Sequence, residues 1–302
     1  MTIGLGIDSG GTSCRWALFD GASGAVLGEG KSAPIPGHVY TPETKAKAAL
    51  AIEELAAAVL RAGKPAGVLA GMTGVDNLSD SSRHFCAAFA RAFGADPARV
   101  SVVSDVDIAY RANFAPGEGY LVYAGTGAVG AFMNAQGETI AVGGRGELID
   151  DAGAAHWIAM RAVRAILRAE DRAPGSGWAT PLGEELARDM GATDWRGIRD
   201  VIYGHGRGAI GVLARAVGRA GQQGDAHALN IFAAAGVELA TLAQSFIARF
   251  GPRPVVLTGG APRLSPRIFE SFAAQLPAEC AARFTQNDAA LAAARVAADQ
   301  GT

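Results

Sequence analysis

The chain has 302 residues, of which 49% are hydrophobic and 19% are charged, and its formal net charge is −2. This composition excludes a disordered protein, and the length suits two domains better than one core. The nearly neutral charge balance gives no reason to expect nucleic acid or an anionic membrane as a partner.

The first half of the chain alternates short apolar strands with helices rich in alanine and leucine. In chain order, the predicted elements are strands at 3–8, 14–20 and 25–30, a helix at 42–62, a strand at 66–71, a helix at 80–93, a strand at 100–104 and a helix to about 114. Thr41 and Pro42 mark the start of the first helix, because proline favours the first helical position. Residues 115–119 contain proline and two glycines, and they form the predicted domain boundary.

The second half repeats the pattern. Its predicted elements are strands at 120–124, 128–134 and 138–142, a glycine turn at 143–146, a helix from 151 to about 169, a helix-rich insertion at about 170–250, a strand at 255–257, a helix at 266–275, a short strand within 280–285 and a helix at 288–300. We therefore predict two duplicated α/β domains, 1–116 and 117–302. Each has a mixed sheet covered by helices on both sides, with a cleft between the domains. The last helix, 287–302, can pack back on the first domain.

A glycine hairpin occurs in each half. An apolar run ends at Gly125-Thr126-Gly127, and a second apolar run follows it, which predicts strand, tight turn and strand. Such a turn lets a phosphate approach bare backbone N–H groups, with the threonine hydroxyl as a further donor. Gly11-Thr12 repeats the pattern, and two copies in register favour a pair of facing phosphate loops over ordinary structural turns.

Three cysteines, Cys14, Cys86 and Cys280, lie far apart in the sequence. Their spacing argues against a disulfide framework, a zinc site or an iron–sulfur site within one chain. We expect a cytoplasmic protein without a signal peptide, since Asp8 interrupts the first apolar run. The uncharged stretch 119–137 is rich in glycine, and its apolar part is too short to span a membrane.

Three motifs resemble those of the acetate/sugar kinase, heat-shock-protein-70 and actin superfamily. They are, in order, Gly6-Ile-Asp-Ser-Gly-Gly-Thr12 for the first phosphate motif, Ala124-Gly-Thr-Gly127 for the second and Val255-Val-Leu-Thr-Gly-Gly260 for the adenosine motif. The resemblance extends over nearly the whole chain. It implies the duplicated ribonuclease-H-like fold of actin and hexokinase, with ATP and Mg²⁺ as cofactors.

Further residues resemble the N-acetylglucosamine kinase branch of the BadF/BadG/BcrA/BcrD-type ATPases. They are Val103-Ser-Asp105, Gly143-Gly-Arg-Gly146, Asp151-Ala-Gly153 and His156-Trp-Ile158. The chain departs from that branch by Ala128 for Ser, Arg145 for Trp, Asp150 for Gly, Ala152 for Glu and Ala154 for Ser, and by the lack of Asn in residues 34–40. These departures lie where the sugar should bind, so the resemblance supports kinase chemistry better than it identifies the substrate.

The resemblance implies a role for two aspartates. Asp105 corresponds to the catalytic base that accepts the proton of the attacking sugar hydroxyl. Its structural alternative is a helix N-cap, and Asp107 is a weaker candidate for the same role. Asp8 corresponds to the acid that holds Mg²⁺ through water, and its structural alternative is a cap on the glycine turn.

The resemblance also assigns the ligand contacts. Thr12, Ser13 and Thr126 should cradle phosphates together with the backbone of Gly10, Gly11, Gly125 and Gly127, and Arg15 can reach the same groups. Gly259 and Gly260 should receive the adenine or ribose, although they also fit an ordinary strand-to-helix turn. Asp151 should accept a sugar hydroxyl, with a helix N-cap as its alternative, and Gly143 and Gly144 should line that pocket.

The function that these residues favour is ATP-dependent phosphorylation of N-acetylglucosamine or glucosamine at the 6-hydroxyl, and a homodimer is possible. One alternative is an ATPase that energises electron transfer, which needs a cysteine-held iron–sulfur cluster that Cys14 and Cys86 do not resemble. Another is a sugar-binding regulator, which needs a DNA-binding module, and the chain begins directly at its first strand.

Overall fold

The structure is a computed structural model that describes residues 2–11, 13–75 and 79–299. It divides into two compact units. The first unit comprises the residues up to Ala115 together with those from Asn287, and the second unit is Pro116–Gln286. Each unit contains a five-stranded sheet flanked by helices, which confirms the predicted two-domain α/β fold.

The strands and helices are numbered in chain order. They are β1 (Ile3–Ser9), β2 (Cys14–Asp20), β3 (Ala25–Ser32), α1 (Pro42–Ala62), β4 (Gly67–Met72), α2 (Asp80–Phe93), β5 (Val100–Ser104), α3 (Asp105–Arg111), β6 (Tyr120–Ala124), β7 (Ala128–Met133), β8 (Thr139–Gly143), α4 (Ala155–Arg172), α5 (Pro181–Met190), α6 (Trp195–Gly204), α7 (Arg207–Val212), α8 (Ala214–Gln222), α9 (Ala226–Phe250), β9 (Val255–Thr258), α10 (Pro266–Ala273), β10 (Arg283–Phe284) and α11 (Ala289–Asp299).

The two sheets share one topology. The strand order is β3-β2-β1-β4-β5 in the first unit and β10-β9-β6-β7-β8 in the second. In the first unit β1, β2 and β3 are antiparallel, whereas β1, β4 and β5 are parallel. The second unit repeats this with β6, β7 and β8 antiparallel and β6, β9 and β10 parallel. The duplication that the two hairpins predict is therefore present in the fold.

Strand β1 carries large side chains on one face and glycines on the other, because side chains alternate across a sheet. Leu5 and Ile7 are fully buried in the core that β1 forms with α1 and α2. Gly4 and Gly6 face α11, where a Cβ atom at Gly6 would overlap the carbonyl oxygen of Ala290. Close contact between β1 and α11 thus requires glycine, and helices cover both faces of the first sheet.

The core of the second unit is built around α9 and α4. Phe246 of α9 is fully buried and stacks on Tyr120 of β6 at a ring-centroid distance of 5.2 Å. By length and composition alone, α9 is apolar enough to cross a membrane. A buried core helix passes the same test, and Phe232 and Leu239 of α9 are also fully buried, so this property carries little weight.

Several predicted boundaries differ from the structure. Helix α4 begins at Ala155, four residues later than predicted, because Gly153 has a left-handed φ of +84° that is incompatible with a helix. Helix α3 ends at Arg111, and the last strand is only Arg283–Phe284 because Ala278–Cys280 forms a 3₁₀ turn. The predicted start of α1 is confirmed, since the Thr41 hydroxyl accepts the N–H of Thr44 in a capping box.

Candidate active site

Three polar residues lie at one edge of the first sheet. Strands β1, β4 and β5 are parallel, and Ser9, Met72 and Ser104 are paired across them. Since parallel strands end at a common edge, Asp8, Thr73 and Asp105 come together there, one from each strand end. The Thr73 hydroxyl donates to Asp105 Oδ2 at 2.6 Å.

Asp105 is the first residue of α3 and is not its N-cap. The cap is Ser104, whose hydroxyl accepts the N–H of Asp107 at 3.2 Å. The N-cap interpretation of Asp105 is therefore wrong. Its Oδ1 accepts the N–H of Val106 at 3.0 Å, and its Oδ2 accepts the Thr73 hydroxyl, so both oxygens of this half-buried carboxylate are oriented. Asp107 is buried and paired with Arg111 at 2.7 Å, as suits a structural first-turn residue.

Asp8 lies in an acidic environment. Burial, followed by repulsion from the Asp105 carboxylate, raises the pKa of Asp8 to about 6. Asp288 adds to this increase, whereas Arg15, which is paired with Asp8 across β1 and β2, lowers the pKa. The edge of the first sheet therefore has an excess of negative charge.

This set of oxygen donors fits Mg²⁺. Within residues 2–11, 13–75 and 79–299, no group of three or more His, Cys, Asp or Glu side chains is placed to hold a metal ion directly. Mg²⁺ does not need such a group, because it keeps several waters and binds through one or two carboxylates plus substrate phosphates. Asp8 suits that mode, since a cation would relieve the repulsion between its carboxylate and that of Asp105.

The turn between β1 and β2 is partly closed on itself. The N–H of Gly10 donates to the carbonyl of Ser13 at 3.0 Å, so this predicted phosphate donor is engaged within the turn. Gly11 is exposed, and a Cβ atom there would meet nothing within 4 Å. Thr12, a predicted phosphate ligand, lies outside the described residues. Gly11 is thus the most open backbone of the described part of this turn.

The turn between β6 and β7 supports helix α4. The N–H of Gly125 donates to the carbonyl of Gly127 at 2.9 Å. The carbonyls of Gly125 and Thr126 accept the N–H groups of Ala155, at 2.9 Å, and His156, at 3.3 Å. These are the first residues of α4, whose N-cap, Ala154, has no side-chain cap. The turn itself therefore satisfies donors that a helix start normally leaves unpaired.

Asp151 connects this turn to the helical insertion. Its Oδ1 accepts the N–H of Ala128 at 3.1 Å, and its Oδ2 lies 3.3 Å from Arg207 Nη1. Asp151 is buried, and it is not the N-cap of α4, so that interpretation is also wrong. Burial raises the pKa of Asp151, while the Ala128 N–H and Arg207 lower it. Arg207 also lies 3.5 Å from Glu147.

The other predicted glycines differ in how much space surrounds them. Gly143 and Gly144 both have φ of +67°, and a Cβ atom on Gly143 would lie 2.6 Å from Leu242. Gly259 has φ of +107°, and its Cβ atom would overlap the carbonyl of Ala124. These three glycines are required by the backbone itself. Gly260 is exposed with open space around it.

Sequence reasoning missed two residues of these clusters. Thr73 had an available signal, because it directly follows a buried strand that is parallel to β1 and β5. Arg207 had none, since it lies in the helical insertion, where no repeat or motif marks its position. Cys14 and Cys280 are buried, Cys86 is partly buried, and all three are free thiols. Burial raises the pKa of Cys14 to about 11.

Comparison with known proteins gives a family match over most of the chain. The model of the BadF/BadG/BcrA/BcrD ATPase family matches residues 5–268. This range contains Asp8, Thr73, Asp105, Asp151 and both glycine hairpins.

Individual relatives point in the same direction. An N-acetylmuramic acid/N-acetylglucosamine kinase from Clostridium acetobutylicum is 29% identical over 143 residues, and the match spans 47% of this chain and less than half, 46%, of that relative. A provisionally assigned N-acetylglucosamine kinase from Chromobacterium violaceum has a similar structure, with a TM-score of 0.73, 23% identity, and coverage of 98% of this chain and 99% of that one. A provisionally assigned N-acetylglucosamine kinase from Porphyromonas gingivalis is also similar, with a TM-score of 0.72, 16% identity and full coverage of both chains. At these identities the structural similarities establish the fold.

Proposed function

The chain belongs to the BadF/BadG/BcrA/BcrD ATPase family, and from this premise we propose that it is an ATP-dependent kinase of an amino sugar. Use of ATP follows from the family. The sugar, N-acetylglucosamine or glucosamine phosphorylated at its 6-hydroxyl, is inferred from relatives that are named for N-acetylglucosamine. The observation that carries the proposal is the oriented Asp105 carboxylate beside Asp8 at one sheet edge.

Asp105 acts as the general base in this proposal. A hydroxyl is a poor nucleophile until its proton has an acceptor, and a positioned carboxylate contributes about 10²- to 10⁴-fold to such a step. Each Asp105 oxygen already accepts one hydrogen bond, and a carboxylate oxygen can accept a second one. The sugar 6-hydroxyl can therefore donate to Asp105 without disturbing the bonds that orient it.

Asp8 is proposed to hold Mg²⁺ through water. The cation, when bound with nucleotide, neutralises charge on the β- and γ-phosphate oxygens. Because the pKa of Asp8 is about 6, its carboxylate is mostly ionised at pH 7 and can serve as a ligand. We propose Gly11, Thr12 and Ser13 in one turn, and Thr126 and Gly127 in the other, as phosphate contacts. Gly10 and Gly125 can contribute by shaping their turns, but their N–H groups already donate hydrogen bonds within those turns.

The sugar and adenosine contacts are proposed from the same pattern. Gly260 offers open backbone for the adenosine, while Gly259 allows that strand end to approach Ala124. Asp151, with Gly143 and Gly144, is proposed to contact the sugar. Since Asp151 already binds Ala128 and Arg207, it would meet a sugar hydroxyl through a remaining lone pair.

The test is ADP release in the presence of Mg²⁺, measured across a panel of sugars for the wild type and Asp105→Asn. We expect one hexosamine to stimulate ADP release, and the variant to lose about 10²- to 10⁴-fold in kcat. Asp107→Asn is the matched control, because it removes a neighbouring carboxylate of the same helix that is paired with Arg111. The control should lower the unfolding temperature but keep kcat.

Two outcomes would contradict the proposal. ADP release that no sugar stimulates would leave an ATPase without the proposed acceptor. Equal losses of kcat in Asp105→Asn and Asp107→Asn would assign the effect to the helix and not to a base. The electron-transfer alternative already has little support, because its cluster needs accessible thiolates, whereas Cys14 and Cys280 are buried and burial raises the pKa of Cys14 and Cys86.

A further inference from the structure

We propose that Thr73 is a positioning residue that orients the Asp105 carboxylate for phosphoryl transfer. This inference rests on the proposed function, because it assigns Thr73 a role through Asp105. The 2.6 Å hydrogen bond from the Thr73 hydroxyl to Asp105 Oδ2 joins the ends of neighbouring strands β4 and β5. It links residues 32 positions apart in the sequence, so it is a property of the folded sheet.

The backbone holds Thr73 in place on two sides. Its N–H donates to the carbonyl of Ser9 at the end of β1, at 2.9 Å. Its own carbonyl packs so closely on Gly37 that a Cβ atom there would overlap it. A residue tied in this way can hold another side chain in one orientation. The hydroxyl thus transmits the fixed geometry of β1 and β4 to a carboxylate on a separate helix.

The hydrogen bond also determines which parts of Asp105 remain available. The Val106 N–H donates a hydrogen bond to Oδ1, and the Thr73 hydroxyl donates one to Oδ2, so each donor uses one lone pair. The carboxylate cannot rotate without breaking one of these bonds, so its remaining lone pairs keep a fixed direction. Repulsion between the Asp8 and Asp105 carboxylates favours displacement of Asp105, and the hydrogen bond from the Thr73 hydroxyl opposes it.

Thr73→Val and Thr73→Ser separate the hydroxyl from the shape of the side chain. Valine keeps the volume and removes the donor, whereas serine keeps the donor and removes the methyl group. We expect Thr73→Val to lower kcat by about 10- to 100-fold, which is the usual effect of a small misplacement of a reacting group. The KM values for ATP and sugar should stay unchanged, because Thr73 acts on the base and not on binding. Thr73→Ser should restore most of kcat.

A spectroscopic measurement tests the same contact without turnover. The carboxyl ¹³C resonance of Asp105, assigned by its loss in Asp105→Asn, should move in Thr73→Val and remain in place in Thr73→Ser at a fixed pH of about 8. If the wild type phosphorylates no sugar, the kinase proposal fails, and the resonance still decides whether Thr73 orients Asp105. An Asp105 resonance that does not move in Thr73→Val, or equal losses of kcat in Thr73→Val and Thr73→Ser, would overturn the inference.

Discussion

The two glycine hairpins have the same topology but obtain their carboxylates in different ways. In the first hairpin Asp8 belongs to the strand itself. In the second, Asp151 comes from the segment before α4 and binds the N–H of Ala128 at the start of β7. Asp8 lies near a second acid, Asp105, whereas Asp151 is paired with the positively charged Arg207.

The difference shows that duplication of a backbone does not duplicate its electrostatics. The first hairpin is left with unbalanced negative charge, which makes it suitable for a cation. In the second, Arg207 of the helical insertion lies close to both Asp151 and Glu147, so the protein itself supplies part of the balancing charge. The same strand order thus places one carboxylate, Asp8, beside a second acid, and the other, Asp151, in an ion pair with an arginine. The variants below test this contrast, in order of the expected effect on stability.

Asp8→Asn should make the protein more stable at pH 8 while it removes the proposed kinase activity. The folded pKa of about 6 lies above the ordinary 3.8, so the folded state holds the proton more tightly than the unfolded state. The stability that the Asp8 carboxyl contributes is fully present below about pH 4 and is lost as the pH rises through 6. The variant avoids this loss and should gain at most about 3 kcal/mol at pH 8. Urea unfolding as a function of pH measures it.

Asp20→Asn is the control for this prediction. Asp20 is in the same hairpin, and hydrogen bonds from Ser23 and Ala22 lower its pKa. Its substitution should therefore not stabilise the protein at pH 8. The contrast between the hairpins would be wrong if Asp8→Asn lost stability at pH 8, or if its gain persisted unchanged at pH 4.

Gly127→Ala and Gly11→Ala compare the two turns directly. A Cβ atom at Gly127 would lie 2.8 Å from Asp151 Oδ2, whereas one at Gly11 would meet nothing within 4 Å. We expect Gly127→Ala to lose about 1–3 kcal/mol of unfolding free energy through overpacking. Gly11→Ala should change stability by less than about 0.5 kcal/mol, yet weaken ATP binding if phosphate approaches that backbone. Urea unfolding and calorimetric titration with ATP separate the two effects, and equal losses of stability would contradict the comparison.

Arg207→Met should lower stability by less than Gly127→Ala does. Arg207 is partly exposed, so its pairing with Asp151 is screened by water, and its loss should reduce stability by about 1 kcal/mol near pH 7. The reduction should shrink at acid pH, where Asp151 is protonated and has no charge to pair. Arg199→Met, which removes an arginine paired only with its exposed sequence neighbour Asp200 among the described ion pairs, provides the control. A reduction that is constant with pH would indicate lost packing instead of lost charge.

Much of the fold could be predicted because its signals are local. Alternating apolar runs located β1, β2, β6 and β7, and Thr41 with Pro42 located the start of α1. The start of α4 could not be predicted, because its cap is formed by turn carbonyls about thirty positions away and not by the aspartate that precedes it. Such a cap leaves no trace in the neighbouring sequence.

The site was predictable to the extent that motifs marked it. Asp8 lies near the end of β1 and Asp105 directly follows β5, so their positions on one sheet edge follow from parallel pairing. Thr73 and Arg207 contact residues 32 and 56 positions away. Thr73 is marked by its place directly after a buried strand, whereas nothing in the sequence marks Arg207. The two N-cap interpretations failed for a common reason. Each carboxylate has a partner outside the first turn of the helix, Thr73 for Asp105 and Ala128 for Asp151.

The close contact between β1 and α11 has a consequence for synthesis on the ribosome. Gly4 and Gly6 are synthesised long before residues 289–299, which form the helix that covers them. Until then, one face of the first sheet lacks this cover, whereas all strands of the second unit have already been made. The first unit is therefore completed after the strands of the second, and a nascent chain must keep its glycine face from other contacts until α11 has been made.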